Sequence, residues 1–243
     1  MGKMLLAFML CLGPIFGAAA DPSDDDKADS VQGERLTQAQ ALVDEKRPEE
    51  AIVLLDQIVA YYAEKYPEGE TRWYVARDPA ETLAYLLDTA AGHDRGVSAQ
   101  DATVLQGYWA DAYFLKGYAL VELQRNTEAK EALEHAIRLS PYNSNYSSEL
   151  GHIYQVEKNW EKAYESFAAA EDSTAFSLPD QKIAEATRAK RGLAYALIEM
   201  GRLDEAQAKL EECLRLDKGD QRAKQELEYL RQLRKSKQDG KSA

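Results

Sequence analysis

Two segments of the chain align without gaps at a spacing of 34 residues, and this periodicity constrains the fold more than any other feature. The first segment carries Gly117, Leu120, Ala129, Leu133, Ala136 and Pro141. In the second, Gly151, Tyr154, Ala163, Phe167 and Ala170 take the same places, with Ala175 where the first has proline. Each segment reads as two helices of about three turns joined by a tight polar turn, near 124–127 and 157–159. A hairpin of that size cannot bury its apolar face alone, so neighbouring hairpins must stack into a continuous core. Small residues at Gly117 and Ala129 let the paired helices approach closely, and Leu120 and Leu133 fill the space between them. Glycine inside a helix costs about 1 kcal/mol relative to alanine, so its recurrence implies a packing reason.

The pattern resembles the tetratricopeptide repeat family. That family's series of a large residue, Leu-Gly, an aromatic, then Ala, Phe, Ala and Pro is met by Tyr113, Gly117, Leu120, Ala129, Leu133, Ala136 and Pro141. The next repeat supplies Leu150-Gly151, Tyr154, Ala163, Phe167 and Ala170. Lys116 stands where leucine is usual, and the second repeat lacks the proline. The resemblance implies an all-α, right-handed superhelical array of antiparallel helix hairpins with a C-terminal capping helix.

Two weaker repeats flank the strong pair. Ala194, Leu197, Gly201, Ala206, Leu210 and Cys213 fit the template 43 residues later, so about nine extra residues near 177–186 lengthen the first helix or the loop before it. Pro179 suits a helix beginning there. Ala39, Leu42, Ala51, Leu55 and Ile58 fit a repeat near the N-terminus. The repeats are thus expected at 32–65, 110–143, 144–177 and 187–220, within an array covering 31–236. Cys213 falls where the template has a small packed residue, which favours a buried, inert thiol over a reactive one.

Residues 66–109 interrupt the array and are expected to form an extra helical hairpin. Asp78-Pro79-Ala80-Glu81 reads as a helix start, with an N-cap, a proline at the first position and an acid in the first turn. Leu83, Leu86 and Leu87 share one face of this helix, which should end before Gly92. A second helix opens at 98–101 and runs on into the next repeat. The loop 66–77 holds Arg72, Trp73, Tyr74 and Arg77, which either contact a ligand or pin the loop onto the array. Burial is the commoner use of large aromatics, and pinning is preferred. At the other end, Ala223, Leu227, Leu230 and Leu233 recur at helical spacing, predicting a capping helix over 219–236 and a disordered tail over 237–243. From Gly219 onward there are seven Lys and Arg against four Asp and Glu. That basic end either touches an acidic partner or lipid headgroups, or is a solvated helix end; the latter is preferred.

The N-terminus carries a processing signature. Met1-Gly2-Lys3 is basic, residues 4–16 are nearly all apolar, and Ala18-Ala19-Ala20 precede Asp21. This is the three-part form of a secretory signal peptide, residues 1–20, and its apolar stretch is short for a membrane span. An uncleaved anchor is the alternative. Cleavage after Ala20 would place the protein outside the cytoplasm, and a bacterial periplasm fits best. Removal takes Lys3 and Cys11, leaving Cys213 alone and no internal disulfide. No other stretch is apolar enough to span a bilayer, so the mature chain is not expected to cross one. Residues 21–30, with three consecutive aspartates, are expected to be a disordered leader.

Formal net charge is −12, from 30 Lys and Arg against 42 Asp and Glu, which argues against a nucleic-acid binder. No glycine-rich phosphate loop, His-Glu-x-x-His, Cys-x-x-Cys or Gly-x-Ser-x-Gly is present, and the three histidines lack mutual ligand spacing. No catalytic residue, metal or cofactor is assigned. In tetratricopeptide proteins the first helix of each repeat lines the concave groove. The resemblance implies groove-facing positions at Asp111, Phe114 and Tyr118, at Asn145, Ser148, His152 and Gln155, and at Arg188, Arg191 and Tyr195. Such a lining suits an extended peptide: amides for its backbone, aromatics for apolar side chains, arginines for a carboxylate. Alternatively the arginines only balance neighbouring acids. The expected function is a non-catalytic adaptor or scaffold of the cell envelope that binds a protein or peptide partner. A structural subunit of an envelope assembly or export machine, using the convex face and insertion, is one alternative. An enzyme or small-ligand binder with a pocket near Trp73 and Arg77 is another.

Overall fold

A computed structural model describes residues 24–67, 69, 71–91 and 102–239. Four hairpins account for most of it: α1 (Asp24–Asp44) with α2 (Pro48–Lys65), α4 (Trp109–Glu122) with α5 (Asn126–Leu139), α6 (Ser144–Val156) with α7 (Trp160–Ser173), and α8 (Lys182–Glu199) with α9 (Leu203–Leu216). Between the first two lie β1 (Arg72–Val75), α3 (Pro79–Ala90) and β2 (Ala102–Leu105); α10 (Gln221–Asp239) closes the array. The fold is all-α apart from the short two-stranded ribbon, and it is the expected solenoid. Among the described residues no helix is long and apolar enough to cross a membrane.

The seams between hairpins form as the repeat pattern requires. Ala129, Leu133, Ala136, Ala163, Phe167, Ala170, Ala206, Leu210 and Cys213 are all essentially inaccessible to solvent. A Cβ on Gly117 would lie 2.8 Å from Leu133 Cγ, which is the packing reason for that glycine. Cys213 donates weakly to the Thr187 carbonyl at 3.6 Å, and burial pushes its thiol up to about 12. A thiol reagent should therefore leave the native protein unmodified at pH 8 and react stoichiometrically in denaturant, read by absorbance of the released chromophore.

The turns inside the four hairpins share one device. Lys46, Gln124, Lys158 and Gly201 all take positive φ, between 58° and 77°, at the same place after the first helix. At each, the next residue donates back five positions: Arg47 to Leu42, Arg125 to Leu120, Asn159 to Tyr154 and Arg202 to Leu197, at 2.8–2.9 Å. This is the left-handed helix stop that satisfies otherwise unpaired carbonyls. Only the fourth hairpin uses glycine there. Lys158→Gly should relieve left-handed strain and raise stability by about 1 kcal/mol, measured by urea unfolding.

The structure departs from the sequence reading at both ends and in the insertion. Residues 24–30, expected in a disordered leader, are the first turns of α1. In this part of the helix Asp29 accepts from the Tyr62 and Tyr61 hydroxyls at 3.3 and 3.5 Å, and Gln32, just beyond, is buried. Residues 237–239, assigned to a disordered tail, continue α10. The stretch between the third and fourth repeats is a 3-10 turn, Thr174–Phe176, followed by an α8 that starts at Lys182 rather than at Pro179.

The insertion is not a helical hairpin. β1 and β2 pair in parallel, Arg72 opposite Ala102 and Val75 opposite Leu105, with α3 between them in sequence. The expected helix start at 98–101 lies outside the described residues. No helix runs through to α4, because Gly107 at φ 142° turns the chain; a Cβ there would meet the Tyr62 hydroxyl at 2.7 Å. α3 starts as expected, with the Asp78 side chain accepting from the Glu81 amide at 2.8 Å. The face that carries its leucines is not the one it buries. Glu81, Tyr85 and Thr89 are buried, while Leu83, Leu86 and Leu87 are 57%, 42% and 58% exposed.

Polar and aromatic contacts draw that face inward. Tyr74, Tyr85, Tyr142 and Phe176 stack in series, with centroids 4.9, 5.0 and 4.3 Å apart. Arg72 donates to the Arg138 carbonyl at 2.9 Å, and Ser140 donates to that of Val75. The insertion is thus fastened to the connections preceding α6 and α8, while α2 packs directly on α4 and the core runs past it. Trp73 and Tyr74 do pin the loop. Trp73 packs against the core cluster that holds Ile58, Tyr62 and Trp109, and Tyr74 is buried against Tyr85.

Candidate functional site

α6 and α8 bring five of the expected groove residues to one place. His152, Gln155, Arg188, Arg191 and Tyr195 line a cavity of about 320 Å³. Helical spacing explains the set: 152 and 155, and 188, 191 and 195, each fall on one helix stripe. Gln155 donates to the Gly192 carbonyl at 3.2 Å, tying the two helices across the cavity floor. His152 shares a 3.1 Å contact with Gln155 and meets the Phe167 ring edge-on at 5.1 Å. Burial lowers its basicity, with Arg188 and Arg191 acting in the same direction and Glu149 opposing, so the imidazole is neutral at neutral pH. Tyr195 is 42% exposed at the rim and contacts Trp160.

Both arginines already have carboxylate partners, Arg188 with Glu149 and Arg191 with Asp220. Asp220 also caps α10, accepting from the Ala223 amide at 3.0 Å, so Arg191 anchors the last helix as well as facing the cavity. Charge balancing is therefore part of what these arginines do.

Two lining residues were not anticipated, Arg222 and Glu226 of α10. The sequence read that helix only as a polar cap. Its apolar stripe holds Ala223 and Leu230 buried, and positions 222 and 226 flank that stripe one turn apart. A face one residue off the packing stripe is the signal that could have found them.

The remaining candidates lie elsewhere. Ser148 is 1% exposed and cannot face the groove, because it sits in the α6 seam. Asn145 is half-buried; its amide donates to Glu185 at 2.9 Å and its oxygen accepts from Arg188 at 3.5 Å. Glu185, also buried, holds Ser177, so Asn145 belongs to a structural network at the start of α8. Phe114 stacks on Tyr146 at 4.9 Å, and Tyr118 is exposed on α4.

Asp111 lines a second cavity of about 430 Å³, together with Asp29, Arg77, Tyr108 and Tyr146. Its carboxyl accepts from the Tyr146 hydroxyl at 2.5 Å and is raised by burial against that bond. Arg77 at this cavity is bound to Glu81, and Trp73 does not line it. This is where a small-ligand pocket near Trp73 and Arg77 was expected, and the arginine there serves the insertion.

The geometry can be set beside known proteins. A family model for the tetratricopeptide repeat matches residues 110–143 and 192–220. Those two segments are tetratricopeptide repeats. A MamA double mutant, RS-1 ArsTM, is similar with a TM-score of 0.54 at 15% identity, covering 84% of each chain. MamA from Desulfovibrio magneticus RS-1 gives 0.53 at 15% identity, over 84% of this chain and 85% of that one. A kinesin light chain repeat protein from Podosopora anserina gives 0.50 at 17% identity, over 87% and 98%. At these identities the likeness concerns the fold. No curated protein matches the chain in sequence. Arrays of tetratricopeptide repeats generally serve as non-catalytic interaction modules, and this architecture supports a protein-interaction scaffold.

Proposed function

We propose that the protein is an exported, non-catalytic adaptor that holds a partner protein through an extended peptide in its concave groove. The observation that carries this reading is the cavity between α6, α8 and α10. It joins amide, imidazole, guanidinium and phenol groups from three helices. Such a surface gives a peptide backbone hydrogen-bond partners without offering a reacting centre. Export rests on the basic, apolar and small-residue pattern of residues 1–20. The mature protein should begin at Asp21 on N-terminal sequencing, and an intact Met1 in the cell envelope would overturn that part.

Charge reversal at Arg191 would break the α10 cap as well as the groove. The cleaner test places a photo-crosslinking residue at Tyr195, and a control at the exposed Glu165 of α7. Capture of a partner in cells from position 195 and not from 165 is the expected result. Equal capture from both, or capture from 165 alone, would overturn the groove assignment.

A second reading, a structural subunit assembling through the insertion, is favoured by one observation: the exposed leucines of α3. Changing Leu83, Leu86 and Leu87 to glutamine would then abolish assembly in sedimentation velocity while leaving capture at Tyr195 intact.

A further inference from the structure

The solvent side of α3 is apolar from end to end. Pro79, Ala80, Leu83, Leu86, Leu87 and Ala90 are all exposed, and no charged residue of the helix falls among them. Glu81 is buried against Arg77, and Asp88 lies off that arc. Exposed apolar residues elsewhere sit among charges: Val53 of α2 has Glu49, Glu50 and Asp56, all exposed, one turn away on either side. The α3 face is of another kind, a contiguous patch and not a scattered residue.

The leucines cannot turn inward, because the other side of α3 is taken. Tyr85 stacks between Tyr74 and Tyr142, Glu81 holds Arg77, and Thr89 donates to the Tyr85 carbonyl at 2.9 Å. The face is therefore presented ready-made. Within it Ala80, Leu83, Leu87 and Ala90 recur at intervals of three, four and three, the seam along which two helices pack. The series reads the same in both directions. Two copies of α3 related by a two-fold axis run antiparallel, with Leu83 against the partner's Leu87 and Ala80 against the partner's Ala90. That is the self-complementarity an isologous contact demands.

Charge selects the same occupant. The chain carries a formal −12, so two copies repel over most of their surface, and α3 offers them a contact without like charges. A partner chosen by opposite charge would find nothing on this face to pair with. We propose that α3 is a homodimer contact, in which a second copy of the chain covers Ala80, Leu83, Leu87 and Ala90 across a two-fold axis. The inference rests on the reading of the insertion as an assembly surface, and adds the partner and its symmetry. The 12 residues of α3 span about 18 Å. Two such faces together bury under about 1,200 Å², the size of weak, reversible contacts. The dimer therefore forms at high concentration and dissociates on dilution.

Sedimentation velocity of the mature chain should show a monomer at about 1 μM and a dimer at about 200 μM. Raising the salt should strengthen the dimer, since screening removes the repulsion between acidic copies and leaves the apolar contact in place. Changing Leu83, Leu86 and Leu87 to glutamine should abolish it, and Val53→Gln, at an exposed apolar site elsewhere, should not. All four side chains are exposed, so the unfolding midpoints of these variants should match the parent's. Cysteine pairs read the symmetry. Ala80→Cys mixed with Ala90→Cys, one of them carrying a size tag, should give a mixed disulfide under mild oxidation. Ala80→Cys alone should not, because the two-fold axis puts its copy about 15 Å away, beyond the reach of a disulfide. Cys213 is buried and stays out of the exchange.

A chain still monomeric at about 200 μM, self-association that survives in the leucine variant, or Ala80→Cys bridging to its own copy would overturn the inference. Its failure is distinguishable from failure of the reading beneath it. If the chain alone is monomeric and the leucine variant still loses its assembly in the cell envelope, a different protein covers α3: the second copy is wrong and assembly through the insertion stands. If the leucine variant keeps its assembly, both fail. Capture from Tyr195 decides the groove reading on its own.

Discussion

Arg77→Ala should destabilise the insertion by about 3–5 kcal/mol, an effect far larger than a loop residue ordinarily shows. Glu81 is 1% exposed, and Arg77 is its countercharge. The guanidinium reaches Glu81 Oε1 at 3.2 Å through one terminal nitrogen, and its Nε lies 3.3 Å from both oxygens. The Arg77 backbone amide adds a 2.6 Å bond. The same guanidinium also donates to the Tyr142 and Phe176 carbonyls, at 3.3 and 3.4 Å, in the connections before α6 and α8. Truncation would strand a buried carboxylate and remove the Nη2 group that binds the insertion to two carbonyls of the array.

Two controls give this prediction its shape. Arg77→Met combined with Glu81→Leu should recover most of the loss, because a well-packed apolar pair avoids desolvating either charge. The loss should also be local. α2 packs on α4 without the insertion, so hydrogen exchange should rise in β1 and α3 and stay slow in α4 to α9. A single substitution costing under about 1 kcal/mol would mean that Glu81 is not held in the way described.

What the sequence made legible followed from how many residues signalled each element at once. The repeat seams combined glycine, alanine and large apolar residues at fixed spacing, and they packed as read. The insertion defeated the same logic. α3 was placed correctly by Asp78, Pro79 and Glu81, since a cap and a first-turn acid act locally. Which face it buries could not be read from its own residues: Leu83, Leu86 and Leu87 share one face, and Glu81 and Tyr85 lie on the one that is buried. The stacked tyrosines and the Arg77 ion pair decide that orientation through Tyr142 and Phe176, 57 and more positions away. The strands Arg-Trp-Tyr-Val and Ala-Thr-Val-Leu carried aromatic and β-branched residues, but each is only four residues long. For the groove, helix periodicity grouped His152, Gln155, Arg188, Arg191 and Tyr195. It could not foresee that Ser148 turns into the seam, or that a helix read as a cap would complete the cavity with Arg222 and Glu226.

Gly192→Leu should be the most damaging change in the array, costing about 3 kcal/mol or more. Phe167 is wholly buried between two glycines. A Cβ on Gly192 of α8 would lie 2.3 Å from its Cδ1 and Cε1 atoms, and one on Gly151 of α6 would lie 2.8 Å from Cε2. The ring therefore has no room to retreat from α8, since α6 closes its other side. Alanine at 192 gains about 1 kcal/mol of helix propensity but meets the same ring, so it too should be a net loss of about 1–2 kcal/mol. Gly151→Ala should cost less, because its contact is the longer one. Adding Phe167→Leu to Gly192→Ala should restore part of the loss; the neighbouring repeat already places Leu133 against Gly117. The same seam carries the bond from Gln155 to the Gly192 carbonyl, so pushing α8 away also separates Arg188, Arg191 and Tyr195 from His152 and Gln155. Urea unfolding gives the order Gly192→Leu, Gly192→Ala, Gly151→Ala from most to least destabilised. Crosslinking from Tyr195 should fall in that order as well, and an inverted order would show that the ring is not what holds the two helices at their distance.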